Sequence, residues 1–217
     1  MERIETLRYL VFGSEFLSAF VGIIYFKKLD NWFKVFPFCL LIIFLLDITA
    51  WYFVLQKEYQ ININIYRYIA NPFQFIYLFW IFDRIHGLKP KNMLFWICTS
   101  IFGLCWVIEY ILIPKVSFDW MSLSYSINNL ILIILVLYYF YKLMNSADIL
   151  LFFKKRAFWF STGVIIYYLG TFPFYGMFNV LHKNFHEIYL IYFQIVLILD
   201  ITMYLLFAAS FIWGKEN

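Results

Sequence analysis

The sequence predicts an all-α membrane protein: a bundle of seven transmembrane helices, N-terminus outside and C-terminus cytoplasmic. Three observations carry this. Mean hydropathy is +0.79, and 65% of the 217 residues are hydrophobic against 14% charged, more apolar surface than a soluble domain of this size can bury. Apolar stretches of about 20 residues, enough to cross a core roughly 30 Å thick, follow one another with short connections. Stretches such as LLIIFLLDITAWYFVL and LILIILVLYYF do not alternate in character, which fits helices and not the strands of a membrane barrel.

The windows place helices at 6–26, 33–55, 63–82, 93–113, 123–143, 158–181 and 188–213, a single membrane domain over 1–217 with no room between them for a soluble module. The first carries Glu15 and lacks a small-x-small cleavage site, so it is a helix and not a signal peptide. On it Ser14, Ser18 and Gly22 recur every fourth residue, a face for close helix packing within the fold or in a homo-oligomer. The second holds Asp47. The third holds Arg67, Asn71 and Gln74 at spacings of four and three, which predicts one stripe. The fourth has Glu109 near its outer end. Asn128 and Asn129, with Ser122, Ser124 and Ser126, make the outer half of the fifth polar.

The sixth window adds Thr171 and Tyr175, and Gly170, Pro173 and Gly176 interrupt its hydrogen-bond ladder, as Asn71-Pro72 does in the third. The seventh carries Gln194, Asp200 and, one turn on, Tyr204. HKNFHE between the last two is expected to be a turn, and its His182 and His186 are weak metal candidates. Cys39, Cys98 and Cys105 match no ligand or disulfide spacing and serve packing. Tyr and Trp gather at helix ends, as at Trp51, Tyr52, Trp106, Trp120 and Trp213, the pattern of interfacial belts.

Basic residues set the orientation. Lys27, Lys28, Lys34, Arg84, Lys89, Lys91, Lys142, Lys154, Lys155, Arg156 and Lys215 fall on one side, against Arg3, Arg8, Lys57, Arg67, Lys115 and Lys183 on the other. The richer side is cytoplasmic by the positive-inside rule. The net charge of +4 is thereby explained through topology and anionic lipid headgroups, so no nucleic-acid role is expected.

A carboxylate in hydrocarbon is costly and marks function. Glu15 and Asp200 fall near the midplane, and Asp47 and Glu109 in the outer halves, with Arg67 the natural partner for Asp47 or Glu109. Glu15, Asp47, Arg67 and Asp200, with Asn71, Gln74, Asn128, Asn129, Tyr175, Gln194 and Tyr204, are expected to converge on an outward-opening polar cavity, and Glu109 to lie at the interface. Retinal binding fails for want of a lysine in the last helix, and intramembrane zinc or serine hydrolysis for want of a membrane histidine. No cofactor is implied. Asp83-Arg84 matches the corresponding receptor dipeptide by chance, since the last helix lacks the pattern that goes with it.

The stretch FWFSTGVIIYYLGTFPFYGMFNVL, together with Glu15 and Asp47, resembles small seven-helix inner-membrane proteins of Bacteroidota. That family has no assigned activity, so the resemblance implies a bacterial inner-membrane location and no functional residue. The excess of Lys over Arg suits an AT-rich bacterial genome. The first expectation is therefore a receptor or signalling subunit that binds a small or lipidic ligand and meets a cytoplasmic or membrane partner through basic inner loops and the amphipathic run DILLFFKKR. The alternative is a proton- or cation-coupled transporter or channel, including an oligomeric effector pore. A lipid-modifying enzyme comes third, lacking a nucleophile-base pair.

Overall fold

The computed structural model describes residues 2–88, 90, 92–112 and 121–214. Lys89, Lys91, Lys115, Trp120 and Lys215, which the sequence places at helix ends, lie outside the described residues, as does the side chain of Asp148. The described residues form α1 (Glu2–Ile24), α2 (Phe36–Leu55), α3 (Tyr59–Ile65), a π-helical turn (Tyr66–Ala70) and α4 (Asn71–His86). These are followed by α5 (Met93–Leu112), α6 (Ser122–Met144), α7 (Arg156–Gly176), α8 (Phe178–Asn184) and α9 (His186–Trp213). Among the described residues six helices are long and apolar enough to cross a membrane: Arg3–Ile24, Phe33–Leu55, Met93–Ile111, Ser122–Met144, Arg156–Gly176 and His186–Trp213. The chain is a multi-pass membrane protein.

The window expected at 63–82 is not among those six. It is realised as α3, the π turn and α4, an unbroken helical run over 59–86 that carries Arg67, Asp83 and Arg84 among several amides. Pro72, near the start of α4, has no N–H to return to the preceding turn, and the widened turn lies immediately before it. The window at 158–181 divides at Met177 (φ −107°, ψ 11°), four residues after Pro173, into α7 and α8. HKNFHE differs from expectation too: apart from Phe185 (φ −136°), it is helical, with His182 in α8 and His186 opening α9.

The helices close into a ring. α1 packs between α2 and α9, α9 against α7, α7 against α6, and α6 against α4 and α5, while α2 meets α3 and the π turn. α5 stands outside and turns Leu104 and Ile111 outward, as a lipid-facing helix should. Ser14 and Ser18 are buried, and a Cβ on Gly22 would come within 2.7 Å of Pro37 Cγ and 2.9 Å of Phe211. The small-residue face thus seats α1 on α2 and α9 inside one chain, which leaves it closed to a homo-oligomer.

Two ends of the ring are built differently. At the end where α9 finishes, Arg156 is 2% exposed; it donates to Asp30 at 2.6 Å and to the carbonyls of Lys28 and Gly214, each at 3.0 Å. This ties the start of α7 to the α1–α2 turn and the end of α9. Above the clamp, Phe33, Phe36, Phe82, Phe160, Phe207 and Phe211 pack ring on ring, with Phe36 5.0 Å from Phe207 and 5.2 Å from Phe160. The opposite end, where α1 begins, is hollow.

Candidate functional site

A cavity of about 450 Å³ fills that end, within the usual range for small-molecule sites. Arg8, Asp47, Asn62, Asn71, Gln74 and Asp200 supply its polar walls, and seven tyrosines, among them Tyr66, Tyr125, Tyr167, Tyr175 and Tyr204, with Phe174, Phe178 and Phe193, its aromatic ones. Tyr59 and His182 are exposed, so the mouth opens on the face where α1 begins. From Tyr189 at the mouth to Tyr204 at the floor α9 rises about 22 Å.

Each wall follows from helix periodicity. On α2 the buried stripe Phe36, Leu40, Ile43, Asp47 and Ala50 recurs at three and four residues, and Asp47 is its one charged member. On α9 the stripe Val196, Asp200, Tyr204, Phe207 and Phe211 runs from cavity to aromatic core. On α1, Arg8 stands two turns above Glu15, on the same face. The guanidinium of Arg8 lies 5.7 Å from the Trp51 ring centre and 5.4 Å from that of Phe193, while Asn62 donates to the carbonyl of Ala50 at 2.9 Å and fixes α3 over the mouth. Tyr66 is in hydrogen-bond contact with Asp47. Tyr167 is in hydrogen-bond contact with both Tyr125 and Tyr175, whose rings are 4.3 Å apart.

Glu15 is fully buried just behind this wall, an electrostatic neighbour of Asp47 and Asp200. Three carboxyl groups therefore share one guanidinium. In hydrocarbon such an imbalance must be met by protons, by a cation or by a cationic group on a ligand.

Asp47, Asn71, Gln74, Tyr175, Asp200 and Tyr204 are brought together as their sequence positions suggest. The others are not. Arg67 is buried against the Tyr68 ring at 5.8 Å, in a small crevice with Trp106 and Ser124, and neither Asp47 nor Glu109 pairs with it. The π turn explains this, because one extra residue per turn rotates what precedes it by about 100° relative to α4. Tyr66 and Asn62 occupy the stripe that regular helix would have handed to Arg67. Glu109 instead accepts from the backbone N–H groups of Leu123 (3.1 Å) and Ser124 (2.7 Å) and from the Ser124 hydroxyl. It caps α6, satisfying donors that no residue of that helix could reach.

Asn128 donates to the Ser124 carbonyl at 2.6 Å and Gln194 to the Leu190 carbonyl at 3.3 Å, both within their own helices. Asn129 is fully buried, and neither of its amide atoms finds a partner among the described residues. None of the three lines the cavity. His182 does, at the mouth, with the His186 ring 6.4 Å away. Among the described residues no group of three or more His, Cys, Asp or Glu is placed to hold a metal.

Arg8 is the residue sequence reasoning missed. Near the N-terminus it counts as one more surface charge, and its distance of seven residues from Glu15 was the available signal. Of the tyrosines in the cavity wall, the sequence points only to Tyr175 and Tyr204; Tyr66, Tyr125, Tyr167 and Tyr189 are hidden among the many aromatic residues of the chain. No protein-family model matches the chain, and neither a curated protein nor a solved structure does.

Proposed function

We propose that this protein is a membrane receptor or signalling subunit that binds a small ligand in the cavity among α1, α2, α3, α4, α7 and α9. The observation that supports this best is the floor. Beneath Ile43 and Tyr204 the interior is filled by phenylalanines that are fully buried or nearly so, and no polar side chain of the cavity wall continues through them. A binding site with a packed floor suits signal reception, because occupancy is passed on by repacking and not by passage. In this reading the run 59–86 is the remaining crossing, which makes seven. In the same reading the mouth faces outside and the C-terminus lies in the cytoplasm of a bacterial inner membrane, an orientation that the excess of basic residues on the far side supports. A partner or the membrane surface would meet the far face at the 3₁₀ segment Ala147–Lys154, where Leu150 and Phe153 are exposed beside Lys154.

A second reading, a proton- or cation-coupled transporter, draws on Glu15. This acid is fully buried beside Asp47 and Asp200 and carries ionisable groups past the cavity wall. Flux in liposomes separates the two. The receptor reading expects no proton or cation flux above empty liposomes, and expects Tyr59→Cys to react with an impermeant maleimide from one side of the membrane only. Flux that Asp200→Asn abolishes would overturn it in favour of transport.

A further inference from the structure

We infer that the cavity takes a zwitterion, its ammonium group seated deep between Asp47 and Asp200 and its acidic group, a carboxylate or phosphate, held nearer the mouth by Arg8. This rests on the proposal that the cavity is a ligand site and adds the chemistry of what enters. The first observation is Arg8. Its guanidinium is clamped between Trp51 and Phe193, its Nε is buried without a hydrogen-bond partner, and among the described residues no ion pair joins it to an acid. A planar fork with unused donors, held rigid by two rings, matches a carboxylate or phosphate.

The second observation is the floor of the same cavity. Asp47, 7% exposed, and Asp200 face the space, Glu15 stands behind them, and Tyr66, Tyr175 and Tyr204 line it with them. Carboxylates within an aromatic wall recognise an ammonium group. Charge then discriminates between ligand classes. A simple anion would meet three carboxyl groups for one guanidinium; a simple cation would be repelled by Arg8 and leave its donors unmet. A zwitterion satisfies both poles, with Arg8 about 10 Å above Glu15 along α1 as the outer bound on their separation. Ammonium and phosphate joined by two carbons, as in a soluble aminoethyl phosphate or a phosphatidylethanolamine headgroup, have this chemistry.

The test uses the purified full chain in a non-ionic detergent, with thermal stabilisation and tryptophan fluorescence as readouts. The probes are phosphoethanolamine, ethanolamine alone, inorganic phosphate alone, and indole as a neutral aromatic. Phosphoethanolamine is expected to bind at least about tenfold more tightly than either half. Arg8→Gln should reduce it to the level of ethanolamine, and Asp200→Asn to the level of phosphate. Asp47→Asn serves as the second acid variant if Asp200→Asn does not fold. In nanodiscs, phosphatidylethanolamine that suppresses probe binding where phosphatidylglycerol does not identifies the headgroup as the source; equal binding in both identifies a soluble zwitterion. Ethanolamine binding as well as phosphoethanolamine, unchanged by Arg8→Gln, would overturn the inference. So would stabilisation by indole alone, which leaves the cavity a ligand site of another class, or binding of none of the four. Failure of the receptor proposal shows separately, as flux.

Discussion

The two halves of the bundle use the same helices and nearly the same residue types to opposite ends. Toward the face where α1 begins, seven tyrosines, with Phe174, Phe178 and Phe193, line a cavity that holds Arg8, Asp47 and Asp200; toward the other face phenylalanines predominate, with ring centres 5.0 to 6.0 Å apart. The side chains differ by one hydroxyl group. A ring without that group is satisfied by contact alone and fills space to interior density. A ring with it needs a partner, so Tyr66, Tyr125, Tyr167 and Tyr175 join hydrogen-bonded walls around the hollow they leave. The filled half is closed by ring packing, and the hollow half carries charged and hydroxyl groups.

The sharpest way to break that division is at the clamp. Arg156→Ala leaves Asp30 and two carbonyls without their donor, and removal of one member of a buried pair costs about 3–5 kcal/mol. A large fall in the thermal midpoint in detergent, with the affinity of any cavity ligand kept in the surviving folded fraction, is the expected result. Phe36→Ala tests the filled half from within. It removes a ring that touches Phe33, Phe160, Phe207 and Phe211 and should cost about 3–4 kcal/mol. If the floor is what denies passage, proton leak in liposomes should rise with it.

Gly22→Ala, at the seam of α1 with α2 and α9, is expected to cost about 1–3 kcal/mol, because the added methyl group falls within 2.7 Å of Pro37. A neutral result would mean that α1 can shift outward. The smallest stability effect belongs to the hollow half. Tyr66→Phe gives up one hydrogen bond to Asp47 and should cost about 1 kcal/mol. Ligand binding should nevertheless weaken more than it does in Phe36→Ala. The reverse order would erase the contrast between the halves.

Much of this was legible in the chain. Helix positions followed from apolar length, since a crossing must satisfy its own backbone and only a helix of some 20 residues does so. Six of the seven windows correspond to helices of the required length and character. The interruptions inside the windows lie beside prolines: Pro72 with its π turn, and Pro173 ahead of the break at Met177. Six of the candidate site residues line one cavity, because burial of polar groups in lipid allows few other places for them.

Polar residues at similar depth were indistinguishable in the chain and diverged in the fold. Asp47 and Glu109 are both expected in outer halves, yet one faces the cavity and the other caps a neighbouring helix. Arg67 is turned away from the cavity by the π turn, and Arg8 supplies the guanidinium there instead. Depth is a local property, set by how far a residue lies along its own helix, and the amino-acid sequence alone determined it here, together with the helices themselves. Direction depends on the phase of each helix against its neighbours. Which acids share a guanidinium, and where the bundle is hollow, were therefore decided by the tertiary structure alone.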